Sequence, residues 1–452
     1  MREEYRILST TAILGYGFPM ASFEEGMRRR PHLIAVDAGS TDPGPYYLGA
    51  GLSFTDRGAV KRDLSIMLSA AAEHGVPVVI GSGGGSGGRA HVTWCREIIE
   101  EIAWEQNLHF RMAVIQAEIE KQTIQKAKRA GKIRPLPPAP ELTDDALLET
   151  TRIVAQMGIE PIIGALRGGA QVVLAGRAYD PACFAAAAVL NGYDMALAVH
   201  LGKILECASI AATPGSGSDC MFGYLGEDYF RLEPLNEQRK CTVLSVAAHT
   251  LYEKTNPYVL PGPGGSLDLT GTRFEQETER TVRVSGSRFI PSPRYTVKLE
   301  GARRIGFRTV SIAGARDPVM IAEIDSVIAG VRERVADNFR SADINYTLNF
   351  TVYGRNGVMG GLEPVHDIKS HELGIVIEAI AGTQRDADTI CAFARSTMLH
   401  YGYPGRRATA GNLAFPYSPS DFHAGEVYVF SVYHLMEVDD PCGLFPVEYV
   451  NL

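Results

Sequence analysis

Three short motifs in this chain gather polar groups at places where an α/β sheet could use them. Val36-Asp37-Ala38-Gly39-Ser40-Thr41-Asp42 holds two carboxyls five residues apart around a glycine turn, with two hydroxyls between them. Such a loop suits a divalent metal, Mg or Mn, on Asp37 and Asp42, with Ser40 and Thr41 against a polar substrate. The competing reading is a turn whose Asp and Ser side chains bond their own backbone. Gly81-Ser82-Gly83-Gly84-Gly85-Ser86-Gly87-Gly88 precedes a helix opening near His91. Its glycines would let backbone N–H groups approach a phosphate or carboxylate, aided by the helix dipole. It lacks the Gly-Lys-Ser/Thr ending of a P-loop, and a run this rich in glycine matches a dinucleotide fingerprint too easily to identify one. Gly176-Arg177-Ala178-Tyr179-Asp180-Pro181 supplies Arg177, a planar fork for an oxyanion, and Asp180, placed as a helix N-cap.

Three further residues, His200, Lys203 and Glu206, follow one another at intervals of three. On a helix they share a face, bringing a base, a cation and an acid together as a general acid/base set. The alternative is a Lys–Glu pair beside a core histidine. Cys207 next to them is a buried thiol unless positive surroundings lower its pKa. In the second half, Glu253-Lys254-Thr255-Asn256-Pro257-Tyr258 offers Asn256 to a substrate, and Arg406-Arg407 suits an anion or a solvated loop. His434 reads as a satisfied strand histidine. No H-E-x-x-H, G-x-S-x-G or kinase motif set occurs.

The elements that must position these residues follow from apolar periodicity and punctuation. Leu33–Val36, Val76–Ile80, Phe110–Ile115 and Val172–Ala175 are short apolar runs, as expected of strands buried on both faces. Helical spacing covers 22–30, Arg57–His74 with its stop at Gly75, Val92–Gln106 and Pro181–Leu190. Thr143–Met157 also reads as a helix, with Thr143 as N-cap. Alternating strand and helix predicts an α/β N-terminal domain with a mainly parallel sheet, residues 1–225, its ligands at the carboxyl ends of the strands. Beyond it, short β-type segments at Val243, Val282, Tyr295–Leu299, Thr309–Ile312, Tyr346–Val352 and Ile375–Ile380 alternate with helices at Pro318–Asn338 and Arg385–His400. That mixture predicts an α+β C-terminal domain, residues 226–452.

Composition bounds the function classes. With 452 residues, 45% apolar and 21% charged, the chain can bury sizeable cores. Its net charge of −8 argues against nucleic acid as a partner. Its longest wholly apolar stretch, Ala182–Leu190, is far short of the roughly 20 residues that span a bilayer. No apolar signal-peptide core follows the N-terminus, so a cytoplasmic protein without membrane partner is expected. The seven cysteines contain no C-x-x-C pair and suggest neither a disulfide framework nor a zinc site. A homo-oligomer is expected from length alone.

The motifs at 36–46, 81–87 and 176–181, with His200-Leu-Gly-Lys-Ile-Leu-Glu-Cys-Ala-Ser209 and Tyr252-Glu-Lys-Thr-Asn-Pro-Tyr258, resemble the acyclic terpene utilisation A (AtuA-like) family. The resemblance covers nearly the whole chain. It implies a bacterial catabolic protein working among enzymes of acyl-CoA, terpene or carboxylic-acid breakdown, with a separate small companion subunit as partner. It brings no catalytic residues with it. Joined to the motifs, it leads to an enzyme acting on a small carboxylic acid or its CoA thioester, a lyase or hydratase. Here the Gly81–Gly88 loop (Ser82, Gly83, Gly84, Gly85 and Ser86) and Arg177 clamp the anion, while His200, Lys203 and Glu206 move protons. The alternative is a non-catalytic subunit that binds an acyl-CoA or nucleotide and depends on the small partner.

Overall fold

Five short apolar segments form the parallel centre of one sheet: β1 (Tyr5–Ser9), β2 (Leu33–Asp37), β3 (Val78–Gly81), β4 (Arg111–Ile115) and β5 (Val172–Ala175). The computed structural model that shows them describes residues 2–252, 255–407 and 409–452. Their spatial order is β1-β2-β3-β5-β4, all parallel. Every residue of β2, β3 and β5 is buried, because helices cover both faces. Ile34, Val36, Ile80 and Leu174 point to the side packed by the helices Arg57–His74 and Arg89–Gln106. Leu33, Ala35, Val79 and Val173 point to the other, packed by Ala182–Leu190 and Met195–Leu205. Successive residues thus serve opposite cores, the period of two that a strand imposes.

Antiparallel strands extend both edges of this parallel centre. Met221–Leu225 pairs with β1, followed outward by Tyr229–Pro234, Val282–Ser285 and Arg273–Gln276. Val447–Asn451 pairs with β4 at the other edge. The fold is α/β with a mixed sheet. Among the described residues, no helix is long and apolar enough to cross a membrane.

The chain divides into two compact units, Met1–Arg303 with Phe430–Leu452, and Arg304–Val429. The boundary expected at 225/226 lies elsewhere for a physical reason: Met221–Leu225 and Tyr229–Pro234, on either side of it, are hydrogen-bonded neighbours in one sheet. The second unit is α+β. Tyr346–Tyr353, Leu373–Ala381 and Phe307–Ala315 form antiparallel ladders, and the helices Ile324–Asn338 and Gln384–His400 share their apolar core.

Three local expectations change. The helix expected over 143–157 is only Asp144–Glu149, capped by Thr143 Oγ1; Arg152–Ala155 is a strand paired with Leu299–Ala302. Val243 opens a helix, Val243–Leu251, fixed by a reciprocal Thr242–Ser245 capping box. The segments at 295–299 and 309–312 belong to one continuous strand, Thr296–Ala315. Glu253, Lys254 and Ala408, within the motifs at 252–258 and 406–412, lie outside the described residues.

Candidate functional site at the carboxyl ends of the parallel strands

The loops leaving β2, β3 and β5 are stitched to one another as they leave the sheet. Ala38 N–H donates to Gly81 O at 2.8 Å, Ser82 N–H to Gly176 O at 3.2 Å, and Gly83 N–H to Ala175 O at 2.8 Å. Arg177 N–H donates to Gly87 O at 3.1 Å, so the ladder continues into the loops. All eight residues Gly81–Gly88 are buried. A Cβ on Gly87, at φ +66°, would lie 2.1 Å from Arg177 N; one on Gly84, at φ +71°, would lie 2.4 Å from His91 O. The glycines therefore serve close approach between protein backbones, and the amides of Ser82, Gly83 and Gly85 are already bonded within the protein. The loop does not present those amides as an anion cradle.

What the loops hold in place is a buried charge network. Arg177, 2% exposed, donates from Nε to Glu300 at 2.7 Å and from one terminal nitrogen to Asp180 at 3.0 Å and Ser82 Oγ at 3.2 Å. Glu300, 1% exposed, also accepts from Thr41 Oγ1 and Lys298 Nζ, each at 2.8 Å. Arg177 and Lys298 outweigh the effect of burial and hold the Glu300 carboxyl at about 2. Burial works against the Arg177 cation, but Glu300 and Asp180 reverse this and raise its pKa. Asp180 is thus an ion-pair partner, not the N-cap; Pro181 occupies that position without a side-chain bond.

Asp37 ends β2 inside this network. It is buried, and its Oδ1 has no hydrogen-bond partner among the described residues. Burial, then the nearby Asp180 carboxylate, push its pKa well above the ordinary carboxylate range. A charge count gives the same result. Asp180, Glu206 and Glu300 already face Arg177, Lys203 and Lys298, so a proton on Asp37 leaves the cluster balanced. Cys183 Sγ lies beside it; a Cβ on Gly81 would meet Asp37 Oδ1 at 3.1 Å and Cys183 Sγ at 3.2 Å. Burial and Asp37 keep this thiol protonated.

The expected acid/base trio separates. Lys203 Nζ sits 2.5 Å from Glu206 Oε1, both buried, and 4.5 Å from the ring centroid of half-buried Tyr252. Burial would lower the Lys203 pKa; the Glu206 carboxylate more than offsets it. Both couple electrostatically to the Asp37–Asp180 group. His200 faces the core instead. Its Nδ1 is 2.7 Å from Ser287 Oγ and its Nε2 3.1 Å from Thr250 Oγ1, and burial, then Lys203, lower its pKa to about 3. Burial and Glu206 push the Cys207 thiol up to about 12, so it is no thiolate.

Asp42 is exposed and accepts from Ser40 Oγ at 2.8 Å, the self-bonded turn. Asp37 is buried, and no group of three or more His, Cys, Asp or Glu able to hold a metal occurs among the described residues. Asn256 is likewise an exposed turn residue, its Oδ1 accepting from Tyr258 N–H and Val259 N–H. Buried Thr41 does reach the network, through Glu300. Thr41 and Asp42 also line a cavity of 760 Å³ with Lys298, Glu300, Arg303 and Tyr433. Glu300 is therefore both the cavity wall and the anchor of Arg177.

Two non-glycine residues near the network adopt left-handed backbone, Ser82 at φ +48° and Ala208 at φ +45°. Such strain persists only where surroundings over-determine it, and it concentrates at functional sites. Glu300, Lys298 and Asp180 are the network members whose roles the sequence motifs did not supply.

A family model described as acyclic terpene utilisation family protein AtuA matches residues 57–219 and 233–422. The chain belongs to the AtuA family. Arg177, Asp180, Lys203, Glu206 and Glu300 all lie within the stretches that match AtuA, while Asp37 and the turn at 40–42 precede them. No curated protein and no solved structure matches the chain.

Proposed function

We propose that this chain is a catabolic lyase of the hydratase type, acting on a small carboxylic acid or its CoA thioester by proton transfer. The observation that carries the reading is Asp37: a buried carboxyl of raised pKa whose Oδ1 has no partner among the described residues, at the end of a parallel strand, inside a charge-balanced network. Elimination of water needs an acid for the departing hydroxyl and a base for the proton beside the carbonyl. In this reading protonated Asp37 gives its proton to the hydroxyl, which leaves as water. The Glu206 carboxylate, steadied by Lys203, takes the carbon-bound proton; the reverse sequence hydrates. Lys298 and Thr41, which join the network to the neighbouring cavity, face the substrate oxyanion, and Arg177 holds Asp180 and Glu300 in register. The acid is biased towards its neutral form because the network already carries its full share of negative charge.

The test is solvent exchange. Hydroxy acids, unsaturated acids and their CoA thioesters are incubated with the protein in D2O and followed by NMR. The expected result is deuterium at the carbon beside the carbonyl, slowed at least about 100-fold in folded Asp37→Asn and Glu206→Gln variants. Full exchange in both variants would overturn the assignment.

A further inference from the structure

Residues 304–429 contain a cavity of 520 Å³ of their own, lined among others by Arg316, Asp317, Tyr403, Arg406, Arg407 and Asn412. Among the described residues, no ion pair reaches Arg316, Arg406 or Arg407, whereas Arg395 of the same unit is paired with Asp421 at 2.8 Å. Arg406 is fixed rather than loose: its terminal nitrogens donate to His400 O at 3.2 Å and Ala410 O at 2.7 Å, and its buried Nε has no partner among the described residues. A guanidinium held by neutral carbonyls keeps its whole charge for an incoming group, with little left to order on binding.

The cavity's acids do not cancel that charge. Asp317 caps the helix Pro318–Ala322 through Met320 N–H at 2.8 Å and accepts from the Tyr403 phenol. Glu372 is exposed, and neither carboxylate forms an ion pair with these arginines among the described residues. The volume lies within the range of about 300–1,000 Å³ typical of small-molecule sites, so there is room for more than a lone ion.

We propose that this cavity binds a small molecule carrying two or more negative charges on phosphate or carboxylate groups. It lies within the second unit and is independent of the Asp37 network. Arg406 forms the fixed floor of the site, and Arg316 and Arg407, both exposed, supply the second and third cations.

Calorimetric titration of the full chain with inorganic pyrophosphate, and separately with citrate, tests this. Binding of at least one probe is expected, weakening as salt is raised. Pyrophosphate alone would identify a phosphate ligand, and citrate alone a polycarboxylate. Arg316→Ala and Arg407→Ala, which remove no ion pair among the described residues, should each weaken binding about tenfold, the worth of one charge-assisted hydrogen bond. Arg28→Ala, on an exposed helix end in the first unit, should leave it unchanged. No binding of either probe at low salt, or full affinity in the Arg316→Ala/Arg407→Ala double variant, would overturn the proposal.

Discussion

Glu300 bonds at once to Arg177, Lys298 and Thr41, and its removal should therefore cost more than any single contact. Glu300→Gln leaves Arg177 buried with only Asp180 as a counter-charge, and should destabilise the chain by about 3–5 kcal/mol near neutral pH. The carboxyl lies at about 2 in the folded chain against an ordinary 4.5. Its stabilisation is complete above the ordinary value and disappears as pH falls through the folded one, about 3 kcal/mol over that window. Urea midpoints should therefore converge between wild type and variant as pH falls from 4.5 to 2. Asp37 has the opposite sign. Its raised pKa favours folding below the ordinary carboxylate range, and that stabilisation is lost as pH rises through the raised value. Asp37→Asn should equal or exceed wild-type stability in alkaline urea titrations. The sequence signalled Asp37, Arg177, Lys203 and Glu206, because each sits in a conspicuous motif. It gave no sign of Glu300, which enters the site only because Leu299–Ala302 pairs with a strand about 150 residues earlier.

At the scale of elements, the glycine run is a packing device. Gly84 and Gly87 combine left-handed backbone with neighbours that cannot move, since the blocking atoms are themselves backbone. Gly87→Ala should cost more than about 3 kcal/mol and disturb Arg177, whose amide it would strike. Gly131, at φ +68° with nothing within 4 Å, is the contrast: Ala there should cost only about 1 kcal/mol. Thermal melts of the two variants would distinguish them; equal losses would return the loop to the role of a flexible turn. Short apolar runs closed by Gly or Asp made β2, β3, β5 and the long helices legible. Arg152–Ala155 was not legible as a strand, because the Thr143 cap and the apolar spacing after it fit a helix until a distant strand supplies hydrogen bonds. Val243 reversed for a local reason, the Thr242–Ser245 box outweighing the β-propensity of valine.

For the whole molecule, the units are discontinuous in sequence, and a boundary drawn once along the chain cannot describe them. The first unit is completed only when Phe430–Leu452 returns and Val447–Asn451 pairs with β4. Composition carries no mark of such a return; apart from Val243, the β-type segments after 226 were real, but some belong to the first unit and others build the second. Each unit has its own apolar core. Val327, Val331, Ile375, Ile377 and Ile390 form the second, and Ile34, Ile80 and Leu174 belong to the first. A cavity made in one core should therefore be felt mainly in that unit. Ile377→Ala, at a fully buried position, should cost the second unit about 2–5 kcal/mol. Hydrogen exchange read by mass spectrometry should quicken through 304–429 while the amides of β2, β3 and β5 keep their protection. If those three strands quickened equally, the two cores would unfold as one cooperative body, and a ligand in the arginine cavity would then stabilise the Asp37 network as strongly as its own unit.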